Sequence, residues 1–208
     1  MSHNHSWMKI ERTIKQDFQY YYIICEICHK VRYPAVQLQK LIDYAKEELF
    51  FFIEDWVLLL LHIGKRYIAG ITHYQKMLFL IFMEFIPKYD IPSENPGFYP
   101  YKYGPYSDRI DAAVDILINA KLITAKGRKS SNKELFFITY DGTEKSEKLK
   151  KKLSVEQQTA LYEFRVRWDQ TTTNGLMKYV YGRYPKSTIK SKILKKVFPD
   201  RTLVRKRG

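Results

Sequence analysis

Residues 107 to 142 read SDRIDAAVDILINAKLITAKGRKSSNKELFFITYDG, and a helical rhythm gives way to a strand rhythm inside that stretch. Ser107 stands where a side-chain oxygen can accept a backbone N–H of a first helical turn, and Asp108 and Asp111 follow beside the partial positive charge of a helix N-terminus. Ile110, Ala113, Val114, Leu117 and Ile118 recur at three- and four-residue steps and predict one apolar stripe. KLITAK at 121 to 126 and LFFITYDG at 135 to 142 are β-branched and aromatic, and predict two strands. GRKSSNKE at 127 to 134 is the polar loop between them.

Working upstream, Gly64 stops a helix expected over Asp55 to Ile63. ITHYQKMLFLIFMEF at 71 to 85 is apolar nearly all round and predicts a buried central helix, with Thr72 as its N-cap. Helix, helix, helix and a two-stranded hairpin, in that order, is the pattern of a winged helix-turn-helix with residues 127 to 134 as the wing. The fold class expected is therefore mainly α with a small β-hairpin, the winged-helix core running from 53 to 153.

Around this core the reading adds helices. Ile10, Ile14, Phe18, Tyr21, Ile24 and Cys28 predict a long helix over 8 to 31, and Val36 to Phe52 a second, together an N-terminal helical extension over 1 to 52. Beyond Gly142 come helices near 143 to 152, 154 to 169, 174 to 183 and 187 to 197, with Ser154 and Gln157 as a capping box. Residues 154 to 208 form a basic C-terminal part of helices and tail. The stretch from Pro87 to Pro105, dotted with Pro and Gly, is expected to be loop. Within it, Gly104-Pro105 should turn the chain sharply, and Phe98, Tyr99, Tyr101 and Tyr103 should pin that turn to the central helix. The alternative use of these rings is a surface platform for a base or a peptide.

The 208 residues, 45% hydrophobic, suffice for one sizeable core or one core and a smaller bundle. The apolar runs at 49 to 53 and 56 to 63 fall far short of the roughly 20 residues that span a bilayer, and no export signal opens the chain, so a cytoplasmic protein without membrane attachment is expected. Net charge is +14, and it is unevenly spread. Residues 121 to 208 carry 23 Lys/Arg against 8 Asp/Glu, whereas residues 1 to 120 are nearly balanced at 13 against 14. Asymmetry of that kind is the electrostatic footprint of a protein that meets a polyanion.

CEICH at 25 to 29 has the spacing of a haem-attachment motif or half a zinc site. The chain has two cysteines in all, so a four-thiolate site is excluded, and among Tyr22, Ile23, Ile24 and Ile27 the thiols read as small buried apolar groups. His3 could hold copper only through a free amino terminus in register, and no metal is inferred. Phosphate-cradling glycine loops, nucleophile elbows and HExxH helices are missing from the sequence, so neither enzyme chemistry nor a cofactor is expected.

ITHYQKMLFLIFME, FYPYKYGPYSDRIDAAVDILINAKLI, FFITYDG and YVYGRYPKSTIKSKI together resemble the YwgA-like uncharacterised proteins, relatives of the Panacea or SocA-like antitoxin domain. The likeness covers roughly residues 54 to 195; the first 50 residues share nothing with it. It implies a winged-helix fold with a regulatory or antitoxin-type role, and no catalysis.

The function expected is nucleic-acid binding, with duplex DNA favoured, by a regulator that grips phosphate through its wing and C-terminal helix. The candidate residues are Arg128, Lys129, Lys133, Lys190, Lys192, Lys195 and Lys196. Asp108, Asp111 and Asp115 on the third helix of the core would be repelled by a phosphate-lined groove, which leaves simple groove reading unfavourable. These carboxylates with Tyr101 and Tyr103 support an alternative, an adaptor or antitoxin surface for a basic protein partner. A structured-RNA or ribosome binder is a further alternative, and pairing through appended helices leaves room for a homodimer.

Overall fold

A computed structural model describes residues 9–15, 18–24, 31–32, 50–64, 67–129, 131 and 133–194. The N-terminal helix expected over 8 to 31 is not there. Three antiparallel strands occupy that region instead: β1 (Lys9–Lys15), β2 (Phe18–Ile24) and β3 (Val31–Arg32), in the sheet order β1-β2-β3. The helical spacing of Ile10, Ile14 and Phe18 is overridden by local preference. KIERTIK carries the β-branched Ile10, Thr13 and Ile14, and FQYYYII is almost wholly aromatic and β-branched. The register pairs Lys9 with Ile24 and Lys15 with Phe18. The second expected helix, over 36 to 52, lies outside the described residues up to position 49, as do Cys25, Cys28 and His29.

From residue 53 the chain is mainly helical with a small antiparallel sheet. Helix α1 (Ile53–Ile63) is buried along nearly its whole length, because IEDWVLLLLHI offers no continuous polar face. Each fully buried leucine of its Leu58–Leu61 run contributes about 2 kcal/mol. After the short strand β4 (Ile68–Ala69) comes α2 (Ile71–Leu80), continued by a π-helical turn (Ile81–Phe85) and the short α3 (Ile86–Tyr89). The buried central helix is as expected, but Thr72 does not cap it. The Gly70 carbonyl accepts the Tyr74 N–H at 3.2 Å, so the helix starts at Ile71 and Thr72 falls inside its first turn.

The expected loop from Pro87 to Pro105 holds structure at both ends. Pro87 lies in α3, directly after the π-helical turn. Near the other end, β5 (Tyr99–Tyr101) and β6 (Gly104–Tyr106) form an antiparallel hairpin, with Tyr99 opposite Tyr106 and Tyr101 opposite Gly104. Lys102 and Tyr103 make the turn, and Gly104 is the first residue of the return strand.

Helix α4 (Asp108–Asn119) buries Ile110, Ala113, Val114 and Leu117, as its stripe predicts. Strands β7 (Ile123–Lys126) and β8 (Leu135–Ile138) make the anticipated hairpin, and β4 joins the outer side of β8 to give the order β4-β8-β7. Thr139 then caps α5 (Tyr140–Lys150), so the TYDG segment read as strand end is a helix start. Its Gly142 lies against the chain: a Cβ there would sit 2.0 Å from the Leu122 carbonyl oxygen.

The capping box of Ser154 and Gln157 opens α6 (Val155–Asp169), and α7 (Thr173–Arg183) follows. Arg165 fastens α6 to the core. Its buried guanidinium donates to the Leu60 carbonyl at 2.9 Å and to the Tyr67 carbonyl, and pairs with Asp169. Of the helix expected over 187 to 197, the first part is instead a 3₁₀ turn (Pro185–Thr188) followed by non-helical turns to Ile193; Leu194 is helical, and 195 to 197 lie outside the described residues. Pro185 ends α7, and Ile189, expected on an apolar line, is 70% exposed. No helix among the described residues is long and apolar enough to cross a membrane.

Candidate nucleic-acid interface

Gln75 and Lys76 interrupt the apolar sequence of α2 with two polar side chains, both buried to within 2% of complete. Buried donors must find acceptors, and these two find the chain on either side of the α4 N-terminus. Gln75 accepts the Ser107 N–H at 3.1 Å and donates to the Ser107 carbonyl at 2.9 Å and to Asp111 Oδ1 at 2.7 Å. Lys76 Nζ donates to the Pro105 carbonyl at 2.7 Å. Burial pushes the Lys76 ammonium down to about 7, with the nearby Asp111 carboxylate opposing the shift. Ser107 caps α4 through Oγ and donates to the Pro96 carbonyl at 2.6 Å. The return strand of the β5–β6 hairpin and the start of α4 are thereby locked to the central helix.

The three carboxylates of α4 are engaged, contrary to the open acidic face expected from sequence. Tyr99 donates its hydroxyl to Asp108 at 2.8 Å, and Tyr106 donates to Asp111 at 2.5 Å. Hydrogen bonding to Asp108 raises the Tyr99 hydroxyl to about 12, and burial followed by the Asp111 bond raises Tyr106 further. Asp115 takes both of its bonds from Lys129 of the β7–β8 loop, at 2.8 and 2.9 Å. Arg109, the one cation on this helix, pairs with the buried Glu94 and donates to the Asn95 carbonyl. The exposed stripe of α4 is thus Asp108, Ala112, Ile116 and Asn119, without a cation.

The tyrosines do not all pin the turn down. Phe98 does so, packing on Phe79 at 5.0 Å and Phe82 at 6.2 Å between ring centroids. Tyr99, Tyr101 and Tyr103 are 37%, 39% and 51% exposed, so their rings form a surface. Tyr99, Tyr101 and Tyr106 pack on one another with centroids 5.1 to 5.9 Å apart.

The candidate basic residues fall into two groups. Arg128, Lys129 and Lys133 lie exposed on the β7–β8 loop, where Lys129 is partly neutralised by Asp115. Lys190 and Lys192 lie at the tip of the β5–β6 hairpin: the Lys192 N–H donates to the Lys102 carbonyl at 2.9 Å, and Ser191 Oγ reaches the same oxygen at 3.3 Å. Glu84 in the π-helical turn fixes this C-terminal segment by accepting the Tyr179 and Tyr184 hydroxyls at 2.9 and 2.8 Å. Lys195 and Lys196 lie outside the described residues. The two groups meet α4 at different levels. Seven residues separate Asp108 from Asp115, about 10 Å along the axis, with tyrosine-capped carboxylates at the β5–β6 end and the β7–β8 loop at the other.

Lys102, Gln75 and Lys76 escaped the sequence reading as site residues. A Gln-Lys pair inside an otherwise apolar helix signals buried donors in need of carbonyls, and Lys102 sits in the middle of YPYKYGPY between two tyrosines. Compared with protein-family models and with curated proteins, the chain matches none.

Proposed function

We propose that this chain is a winged-helix nucleic-acid-binding protein of the cytoplasm, a DNA-binding regulator rather than an enzyme, and a relative of the YwgA-like and Panacea-type proteins. The order α1, β4, α2, α4, β7, β8 with sheet order β4-β8-β7 is compatible with a winged helix whose wing is the β7–β8 loop. The observation that carries the reading is electrostatic. The basic excess lies in residues 121 to 208, and Arg128 and Lys133 on the wing and Lys186, Lys190 and Lys192 near the C-terminus are exposed, with no carboxylate paired to them among the described residues. A duplex would be held by phosphate contacts from these side chains, while α4 with its carboxylates stands back from the groove.

The measurement is duplex affinity against salt. A log-log slope equivalent to about five or more phosphate contacts is expected, and affinity that stays flat with salt rejects the reading.

A second reading, docking of a basic protein, is favoured by the exposed Ala112 and Ile116 flanked by Asp108 and Asp115. Ile116→Lys separates the two: duplex affinity holds or rises if DNA is the ligand, and a protein partner is lost if the stripe is a docking face.

A further inference from the structure

We propose that the tip of the β5–β6 hairpin is a base-stacking platform for single-stranded DNA, distinct from the wing. The proposal rests on the nucleic-acid reading above and adds the state of the strand that is bound.

Three features of the tip converge. The first is a set of aromatic faces held still. Tyr99 and Tyr106 are tied by their hydroxyls to Asp108 and Asp111, and Tyr101 leans on both rings, so the group loses little side-chain freedom when something packs against it. The second is exposure: Tyr101 and Tyr103 on either side of Lys102 remain open to solvent despite those contacts.

The third is charge of the right sign at the right place. Lys102 Nζ lies 5.3 Å from the Tyr101 ring centroid, and the bond from Lys192 N–H to the Lys102 carbonyl brings the Lys190–Lys192 segment to the same turn. Among the described residues no carboxylate pairs with Lys102, Lys190 or Lys192. Aromatic faces flanked by such cations are how proteins hold nucleic-acid strands without reading sequence: rings take bases and ammonium groups take phosphates.

Pairing state follows from the same geometry. In a duplex the faces of the bases are covered by their neighbours, so a surface tyrosine meets a base face only where the strand is unpaired. Lys190 and Lys192 also belong to the duplex grip proposed above, so the platform continues that surface. A strand freed beside a bound duplex would run onto it, and that continuity assigns the occupant as DNA.

Fluorescence anisotropy of the full chain tests this with three labelled probes: oligothymidine of about 16 nucleotides, the matching oligouridine, and a duplex of about 20 base pairs. Tyr101→Ala with Tyr103→Ala should weaken oligothymidine binding by roughly 30-fold or more, from two lost stacks, and change duplex affinity by less than about threefold. Tyr101→Phe with Tyr103→Phe should restore oligothymidine binding, since the ring face and not the hydroxyl is used. Arg128→Glu with Lys133→Glu should weaken the duplex and spare oligothymidine. Both tyrosines are exposed, and an unchanged thermal melt shows that the fold is intact.

Equal loss on duplex and oligothymidine in the alanine variant, or a loss on oligothymidine below about threefold, overturns the platform. Tighter binding of oligouridine overturns its assignment to DNA. Duplex binding without oligothymidine binding defeats the platform alone and leaves the duplex reading standing. Tyrosine-dependent oligothymidine binding without duplex binding supports the platform and defeats the wing grip, and binding of neither probe defeats both.

Discussion

Two antiparallel hairpins flank α4, and they are held in opposite ways. The β5–β6 hairpin closes in a two-residue turn, and its return strand is anchored from beneath by Lys76 on the Pro105 carbonyl, by Gln75 on Ser107 and by Tyr106 on Asp111. The β7–β8 hairpin reaches α4 from its loop through one solvent-exposed ion pair, Lys129 with Asp115. Lys102 at the first tip keeps aromatic company, whereas Lys129 at the second pairs with a carboxylate. The contrast teaches that position in a basic tract does not decide what a lysine does. A lysine beside a carboxylate has part of its charge spent within the molecule, whereas one beside an aromatic face retains it for a phosphate.

The largest expected effect comes from removing the tight approach that sets the first hairpin. Gly104 has φ of +86°, and a Cβ there would lie 2.7 Å from the Tyr181 ring. Gly104→Ala therefore meets backbone strain and an overlap at once, costing about 3 kcal/mol and lowering Tm by roughly 10 °C. Oligothymidine affinity should fall with it as the turn that carries Tyr101 and Tyr103 is displaced. A variant that melts with the wild type would mean that the hairpin is not anchored as described.

Of intermediate size is the effect of Lys76, which joins the hairpin to the interior. In the folded chain Lys76 gives up its proton near pH 7, against 10.5 for a free lysine. Between those values the unfolded chain binds more protons, so stability rises with pH, by up to about 1.4 kcal/mol per pH unit. Lys76→Met removes that dependence while filling the same apolar space. Melting temperatures between about pH 7 and 9 should therefore climb less for the variant than for the wild type. Parallel curves for the two proteins would show that Lys76 is protonated throughout the range and that its burial is relieved in some other way.

The same pair of hairpins marks where the sequence was readable. The β7–β8 hairpin was legible because its signals are local: β-branched runs at 121 to 126 and 135 to 138, a polar loop between them, and a serine cap and apolar stripe in front. The β5–β6 hairpin was not, since its two prolines read as loop and its partner groups, Gln75 and Lys76, lie about 30 residues upstream. Periodicity misled at the N-terminus, where the four-residue spacing of Ile10, Ile14 and Phe18 suggested a helix and the aromatic and β-branched run of FQYYYII pointed to the strand that forms. As for the candidate site, Arg128, Lys129, Lys133, Lys190 and Lys192 are exposed and Lys195 and Lys196 lie outside the described residues, but the separation of the basic residues into two groups was not legible. That depends on the Lys192 to Lys102 bond across 90 residues and on Asp115 drawing Lys129 toward α4, neither of which leaves a periodic trace.

The smallest predicted effect tests the β7–β8 loop alone. Asp115→Asn keeps the shape of the side chain and removes the charge that Lys129 faces, so one more ammonium group becomes fully available to a phosphate. Duplex affinity at low salt should rise by about two- to threefold, and the gain should vanish as salt increases, because a single exposed charge is what has changed. Stability should shift by less than about 1 kcal/mol, the usual worth of an exposed pair. Oligothymidine affinity should stay put, since Asp115 lies about two helical turns from the hairpin end of α4. A loss of duplex affinity in this variant would mean that the ion pair holds the wing in its binding position, and the two hairpins would then differ in the strength of their anchoring but not in its purpose.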